Sequence, residues 1–383
     1  FTAEEDEKYI YFSAGRVSLT IRKKNMETRY YLDGKHVGGQ PYTGYEIESK
    51  DATIPQCSPN LSGNPGDMIC TEPKREPACF ARIAFDFAPD EHIYGLGQND
   101  HGGIDRRQFP QYLVQHNFKA PVPCFVSDRG YGIFVDTGSY AEFACGGFHG
   151  NTFYIDSADM LDYYLISSGS LDGFVDGCRF LTGDVPMMPK WFFGYTQCKA
   201  QYTTQEEVVG IVKEYRRRNV PLDMVVQDWQ YWPRETWSEK KFDAARYPDP
   251  KKMVDDIHDM HAHFMISSWP NSRKGDNQRE LWEKNQLLAD GCVYNAFDPE
   301  AGKTFWEQLN RGLFHYGVDA WWCDCTEPYE AFSVDRNLLM YDSLKNMEVD
   351  CAQRYMDSRK TNLFALYNSR NIYEHQRRVT SEK

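Results

Sequence analysis

The sequence predicts a β domain followed by an α/β domain, and three observations carry that reading. At 383 residues the chain exceeds one ordinary domain, so two are expected. Residues 1–187 are punctuated by short runs that alternate apolar and polar side chains. Residues 188–383 switch to strand-like runs separated by segments of helical period.

In the first domain the alternating runs include Val17–Ile21, Ala81–Phe87 and Tyr131–Val135, separated by turn residues such as Asp33-Gly34, Gly63-Asn64-Pro65-Gly66 and Asp128-Arg129-Gly130. Period-two alternation with frequent turns predicts a half-buried antiparallel sheet or sandwich. No run of helical period is expected there.

After Pro186 and Pro189 a strand is expected over Phe192–Cys198, then a helix opened by a capping box with Thr203 as N-cap and Glu206 reaching back. Val208, Ile211, Val212 and Tyr215 follow at helical spacing, and Pro221 precedes a strand over Leu222–Asp228. A helix over Pro250–His261 precedes strand His263–Trp269, and helical stretches 277–289 and 301–316 precede strand Val318–Asp324. Strand–helix–strand units in series predict a parallel sheet, open or closed into a barrel. Four such units are present. In either architecture, ligands bind at the C-terminal ends of the strands.

Composition excludes several classes. The net charge of −13, with no basic block beyond Arg216-Arg217-Arg218, argues against nucleic acid and anionic membrane surfaces as partners. No apolar run approaches the roughly 18 residues of a spanning helix. The 11 cysteines are scattered, with Cys124, Cys198 and Cys292 inside apolar runs, which predicts buried reduced thiols and no structural metal. That usage suggests a cytoplasmic location, with secreted or periplasmic placement left open. His258, His261 and His263 cluster in sequence, but the passage from helix to strand is expected to scatter them.

The strand ends hold the candidate chemistry. Side chains two apart share a face, so Ala320, Trp322 and Asp324 point one way and Trp321 and Cys323 the other. Asp228 shares its face with Val226 and Met224, and Trp269 with Ser267 and Met265. Carboxylates at two strand ends with tryptophan between suit a polyol held by acids and stacked on indole. Either Asp also reads as a strand-end turn residue. Trp229, Trp232 and Trp237 read as core aromatics of a loop excursion, and Glu327, before Pro328, as a structural partner. No phosphate loop or nucleophile elbow occurs.

Taken in order, these motifs resemble glycoside hydrolase family 31. Tyr94-Gly95-Leu96-Gly97-Gln98, Pro121–Ser127 and Gly130–Phe134 are similar to its β-sandwich, and Met188–Tyr195 to its barrel entry. Gln227-Asp228-Trp229-Gln230-Tyr231-Trp232, Phe242–Pro250 and Gly317–Asp324 continue the series. The resemblance implies an N-terminal β-sandwich followed by a (β/α)₈ TIM barrel, of which about the first four strand–helix units lie in this chain. It implies Asp324 as catalytic nucleophile, and Asp228, Trp229, Trp269 and Trp322 as substrate-binding residues. No cofactor or metal is implied. The Trp-Trp-Cys-Asp-x-Thr-Glu-Pro form is similar to the branch with many α-xylosidases.

The implied reaction is hydrolysis of terminal α-linked xylose or glucose from an oligosaccharide or other α-glycoside, by double displacement. The family's acid/base Asp belongs to a Trp-x-Gly-Asp-like stretch that does not occur in this chain, and it is expected beyond residue 383. A C-terminal half, or a second copy in a homo-oligomer, is the partner this implies. A non-catalytic carbohydrate-binding fragment and an α-transglycosylase are the alternatives.

Overall fold

The computed structural model describes residues 1–42, 44–99, 103–107, 109–117, 119–146, 150–327 and 341–380. They form two compact units. The first holds residues 1–55, 73–185 and 341–363, and the second 56–72, 186–327 and 364–380. The expected division at 187/188 lies close to the change at Val185–Pro186, but contacts place 56–72 in the second unit and 341–363 in the first. Composition follows chain order, whereas a long hairpin and a returning helix do not.

The first unit contains three sheets. A five-stranded antiparallel meander runs through Thr2–Glu5, Tyr9–Ala14, Val17–Arg22, Thr28–Leu32 and Lys35–Gln40. Its Asp33-Gly34 turn has both φ angles positive, at 50° and 77°, the geometry that matches strand twist in a two-residue hairpin. A four-stranded sheet orders Tyr163–Ser167, Tyr131–Val135, Ala120–Ser127 and Ile93–Gln98. A five-stranded sheet orders Tyr45–Pro59, Met68–Phe85, Asn151–Ala158, Ala141–Ala144 and Gln111–Leu113.

Alternate residues from these sheets meet in one apolar core. Ile83 and Phe85, Ile133 and Val135, Phe143, and Phe153 and Ile155 are all buried in it, around Phe125. Shared burial of alternating faces is what makes the unit a β-sandwich.

A helix over Leu171–Thr182, capped by Ser170, was not expected from the sequence. Gly173 and Gly177 weaken its helical signal. They also allow its approach: a side chain at Gly177 would strike Ile166, and one at Gly173 would strike Ser168.

The second unit is built on a parallel sheet of four strands in consecutive order. They are β1 (Thr196–Gln197), β2 (Met224–Gln227), β3 (His263–Ser268) and β4 (Ala320–Cys323). Its helices are α1 (Gln205–Arg217), α2 (Pro250–Asp259), α3 (Asp276–Glu283), α4 (Pro299–Gly312) and α5 (Phe364–Val379). The expected strand over Phe192–Cys198 is shortened to β1, because Lys190–Phe193 forms a 3₁₀ turn after Pro189.

The cap of α1 sits one residue later than expected. Thr204 Oγ1 accepts from Glu207 N at 3.2 Å, and Glu207 accepts from Thr203 N at 2.7 Å. Two threonines and two glutamates in tandem fit the motif in either register, and Lys199 pairing with Glu207 at 2.6 Å favours the later one. Asp249 caps α2 and Asp298 caps α4, each followed by a proline at the first turn.

Cysteines follow expectation in part. Cys124, Cys198 and Cys292 are free and half-buried, and burial pushes the Cys124 thiol up to about 12 and that of Cys292 to about 11. Cys57 and Cys70 depart from it: they form a disulfide between facing strands of the long hairpin, with Cα atoms 4.1 Å apart. Thirteen residues of separation along the chain do not show that pairing. No helix among the described residues is long and apolar enough to cross a membrane.

Candidate active site

Register decides which side chains meet inside the sheet. Val226 lies opposite Met265, Met265 opposite Ala320, and Ser267 opposite Trp322. Alternation then stacks the inner face in layers. Met265, Val226 and Ala320 pack together, with Met224, Trp191 and Cys198 around them. One layer up are Ser267 and Trp322; Asp228, Trp269 and Asp324 directly follow the ends of β2, β3 and β4, with Asp228 near both Ser267 and Asp324. Trp321 points the other way, as alternation predicts. It packs on Trp306 and Phe314, and its Nε1–H donates to Gln376 on α5 at 2.7 Å.

The two carboxylates are held alike. Asp228 Oδ1 accepts from the next amide, Trp229 N, at 2.7 Å. Asp324 Oδ1 accepts from its own next amide, Cys325 N, at 2.8 Å. Cys325 takes a left-handed φ of 55°, uncommon for a residue with a side chain and concentrated at sites where geometry is over-determined. Burial raises the Asp228 pKa, and the nearby Asp324 charge raises it further. The Trp229 amide and the Ser267 hydroxyl act against that rise. A carboxyl close to a second carboxylate and partly removed from water holds its proton more readily.

Ser267 was not singled out by sequence reasoning. It is fully buried, its hydroxyl accepts from Trp269 Nε1 at 2.9 Å, and its carbonyl accepts from the Tyr231 hydroxyl at 2.9 Å. It links the indole of Trp269 to Asp228. The available signal was a polar residue between Met265 and Trp269 on the inward face of the strand.

The loop after β2 belongs to the site rather than to a separate core. Trp229 stacks on Trp269 with centroids 6.0 Å apart and planes at 20°. Trp237 meets Trp269 edge-on at 5.5 Å, and Trp232 meets it at 5.8 Å. Only Trp232 of the four indoles is fully buried. Trp322 is 42 % exposed.

Of the three clustered histidines, two converge where scatter was expected. His258 Nε2 is 2.8 Å from Asp319 Oδ2, and His263 Nδ1 is 3.3 Å from Asp319 Oδ1. They meet at the N-terminal ends of β3 and β4, away from Asp228 and Asp324. Among the described residues, no group of His, Cys, Asp and Glu is arranged to hold a metal ion. Pro328, after Glu327, lies outside the described residues.

Such a site can do two things. Tryptophan faces can stack on the apolar side of a sugar ring while carboxylates bind its hydroxyls. A carboxylate at a strand end can attack an electrophilic carbon.

Comparison with known proteins gives the same direction. The model for the glycosyl hydrolases family 31 TIM-barrel domain matches residues 185–383, just over half of the chain. An α-xylosidase of Saccharolobus solfataricus is 31 % identical over 309 residues, covering 78 % of this chain and 41 % of that protein. An uncharacterized family 31 glucosidase of Pseudescherichia vulneris is 29 % identical over 269 residues, covering 66 % of this chain and 50 % of its own length. The chain thus spans about half the length of these relatives. The crystal structure of an α-xylosidase of the same family from Xanthomonas citri superposes with a TM-score of 0.80. It is 20 % identical, with 99 % of this chain and 57 % of that one covered, a likeness of fold alone.

Proposed function

The chain belongs to glycosyl hydrolase family 31, and from that premise we propose that it carries the nucleophile and part of the sugar site of a retaining α-glycosidase. One observation carries the reading: Asp228 and Asp324 follow the C-terminal ends of β2 and β4 in one parallel sheet, close enough for the Asp324 charge to act on Asp228, with Trp269 bonded to Ser267 between them. That edge is where barrel enzymes build their sites. In this reading β1 to β4 are the first four strands of the eight-stranded barrel.

Asp324 attacks the anomeric carbon of an α-linked sugar while a second carboxyl protonates the departing oxygen. The bond to the aglycone breaks as the ester to Asp324 forms. Water then attacks the same carbon, the second carboxyl takes its proton, and Asp324 leaves as carboxylate. Two inversions retain configuration. Asp228 binds hydroxyls of the same sugar ring. Trp229, Trp269 and Trp322 shape the pocket around the ring.

The substrate is an oligosaccharide or other α-glycoside ending in xylose or glucose, with xylose favoured. The name of the relative at 31 % identity supports that preference. Xylose lacks the C6 hydroxymethyl, so a pocket closed by indoles at that position separates the two sugars.

The test is turnover of aryl α-xyloside and aryl α-glucoside by the full-length wild-type protein, with the C-terminal half expected to carry the acid/base carboxyl present, and by its Asp324→Ala variant. The xyloside is expected to have the higher kcat/KM, and the substitution to lower turnover by about 10³-fold or more. Near-normal turnover by Asp324→Ala overturns the assignment. Sugar binding by the wild type without turnover would make this a carbohydrate-binding protein, and sugar-to-sugar products at high substrate would make it a transglycosylase.

A further inference from the structure

The loops that follow β2 and β3 are joined below the tryptophans. Trp237 N donates to Arg273 O at 2.9 Å, and Arg273 N donates to Trp237 O at 3.0 Å. Three residues on, Lys240 is buried with 2 % exposure. Its Nζ faces four acceptors: Ser238 O at 2.5 Å, Ser238 Oγ at 2.9 Å, Asn271 O at 3.0 Å and Ser272 Oγ at 3.2 Å. Two of them sit on each loop.

None of the four is a carboxylate. The neighbouring Glu239 is turned away, its carboxylate accepting from Asn277 N at 3.1 Å in the first turn of α3. A side chain at Gly275 would strike that carboxylate, so the approach is close. Lys241 Nζ lies 3.2 Å from Asp276 Oδ2 and 3.9 Å from Glu239 Oε1, and the Glu239 charge acts on Lys240 through space. From α4 the Phe305 ring faces the ammonium, with its centroid 5.6 Å away. Ser238 accepts a left-handed φ of 54° and turns both its carbonyl and its hydroxyl to Nζ.

A buried ammonium served only by neutral acceptors is costly, and burial pushes the Lys240 amine down to about 7. A methionine would fill the same space without that cost. What an ammonium adds is three donors at one point, enough to hold two loops at once.

We propose that Lys240 is a positioning residue whose ammonium clamps the loop after β2 to the loop after β3, setting Trp237 against Trp269 beside Asp228. The clamp itself stands on geometry alone, while its consequence for sugar binding rests on the glycosidase reading. Lys240→Met keeps length and apolar bulk and removes every donor. Near-UV circular dichroism should lose tryptophan signal, reflecting freed indole contacts. Far-UV circular dichroism should stay unchanged. KM for an aryl α-glycoside should rise roughly tenfold, with kcat changed less than about threefold, the split expected when binding geometry alone is loosened.

A folded Lys240→Met protein with an unchanged near-UV spectrum and unchanged KM overturns the proposal. If Lys240→Met does not fold, Ser272→Ala removes one acceptor and leaves the ammonium in place. A smaller spectral change in the same direction then supports the clamp, and an unchanged spectrum overturns it. If the spectrum changes but the wild-type protein turns over no glycoside, the glycosidase reading fails and the clamp stands.

Discussion

The sandwich core and the inner face of the parallel sheet obey one rule of alternation and put it to opposite use. In two sandwich strands every second residue is apolar to the end of the strand: Ala81, Ile83 and Phe85 in one, Tyr131, Ile133 and Val135 in the other. In the parallel sheet the same period begins with Met224 and Val226, then places Asp228 at the strand end. Neighbouring β3 runs Met265, Ser267, Trp269, and β4 runs Ala320, Trp322, Asp324. A strand that carries polar groups inward gives up burial energy there. The difference between the two regions therefore separates residues kept for packing from residues kept for chemistry.

The sharpest way to break this comparison is to remove one residue of each kind. Phe143, fully buried against Phe125 and Phe87, should cost about 3–5 kcal/mol when changed to alanine. Urea unfolding measures that loss, and turnover per folded molecule should stay unchanged. A matched fall in turnover would show that the sandwich contributes to chemistry as well.

Asp228→Asn should act with the opposite sign on stability. The native pKa of Asp228 is raised, so between the unfolded value and the native one the folded state binds more protons than the unfolded. The contribution of this group to stability therefore falls as pH rises through that window, and it is unfavourable at neutral pH. Asparagine removes the penalty. Unfolding at pH 7 should show Asp228→Asn more stable than wild type, and the difference should shrink below pH 4. Its kcat/KM should fall by roughly 10²-fold, through loss of a charged hydrogen-bond partner for the sugar. Equal stability at both pH values would remove the case for a penalty carried by the site.

Smallest is the effect of Thr204→Ala, which should cost about 1 kcal/mol through loss of the α1 cap. Thr203→Ala should cost less, because Glu207 still caps through the Thr203 amide. The reverse order in thermal unfolding would restore the earlier capping register.

Much of this was legible along the chain. Alternation alone set Trp321 apart from Trp322 and Asp324, and the helices now hold Trp321 as that pattern requires. The Leu171–Thr182 helix was not legible, because Gly173 and Gly177 hide its period while serving its contact with the preceding segment. Nor was the role of Trp237, since its neighbours Trp269 and Arg273 are more than thirty positions away. The Cys57–Cys70 pair was missed although only thirteen positions separate the two, because it depends on how the strands of the long hairpin face each other.

By itself, the sequence determined the alternation of strands and helices in the second unit and set Trp321 on the face opposite Trp322, because side-chain direction repeats every two residues in a strand. Tertiary structure decided the rest. How readily Asp228 binds a proton depends on burial, on the Trp229 amide, and on Asp324 and Ser267, which belong to two other strand ends. Whether Lys240 is a surface cation or an internal clamp depends on two loops meeting around it. Desolvation and charge act through space over a few ångströms, and that distance is not written along the chain.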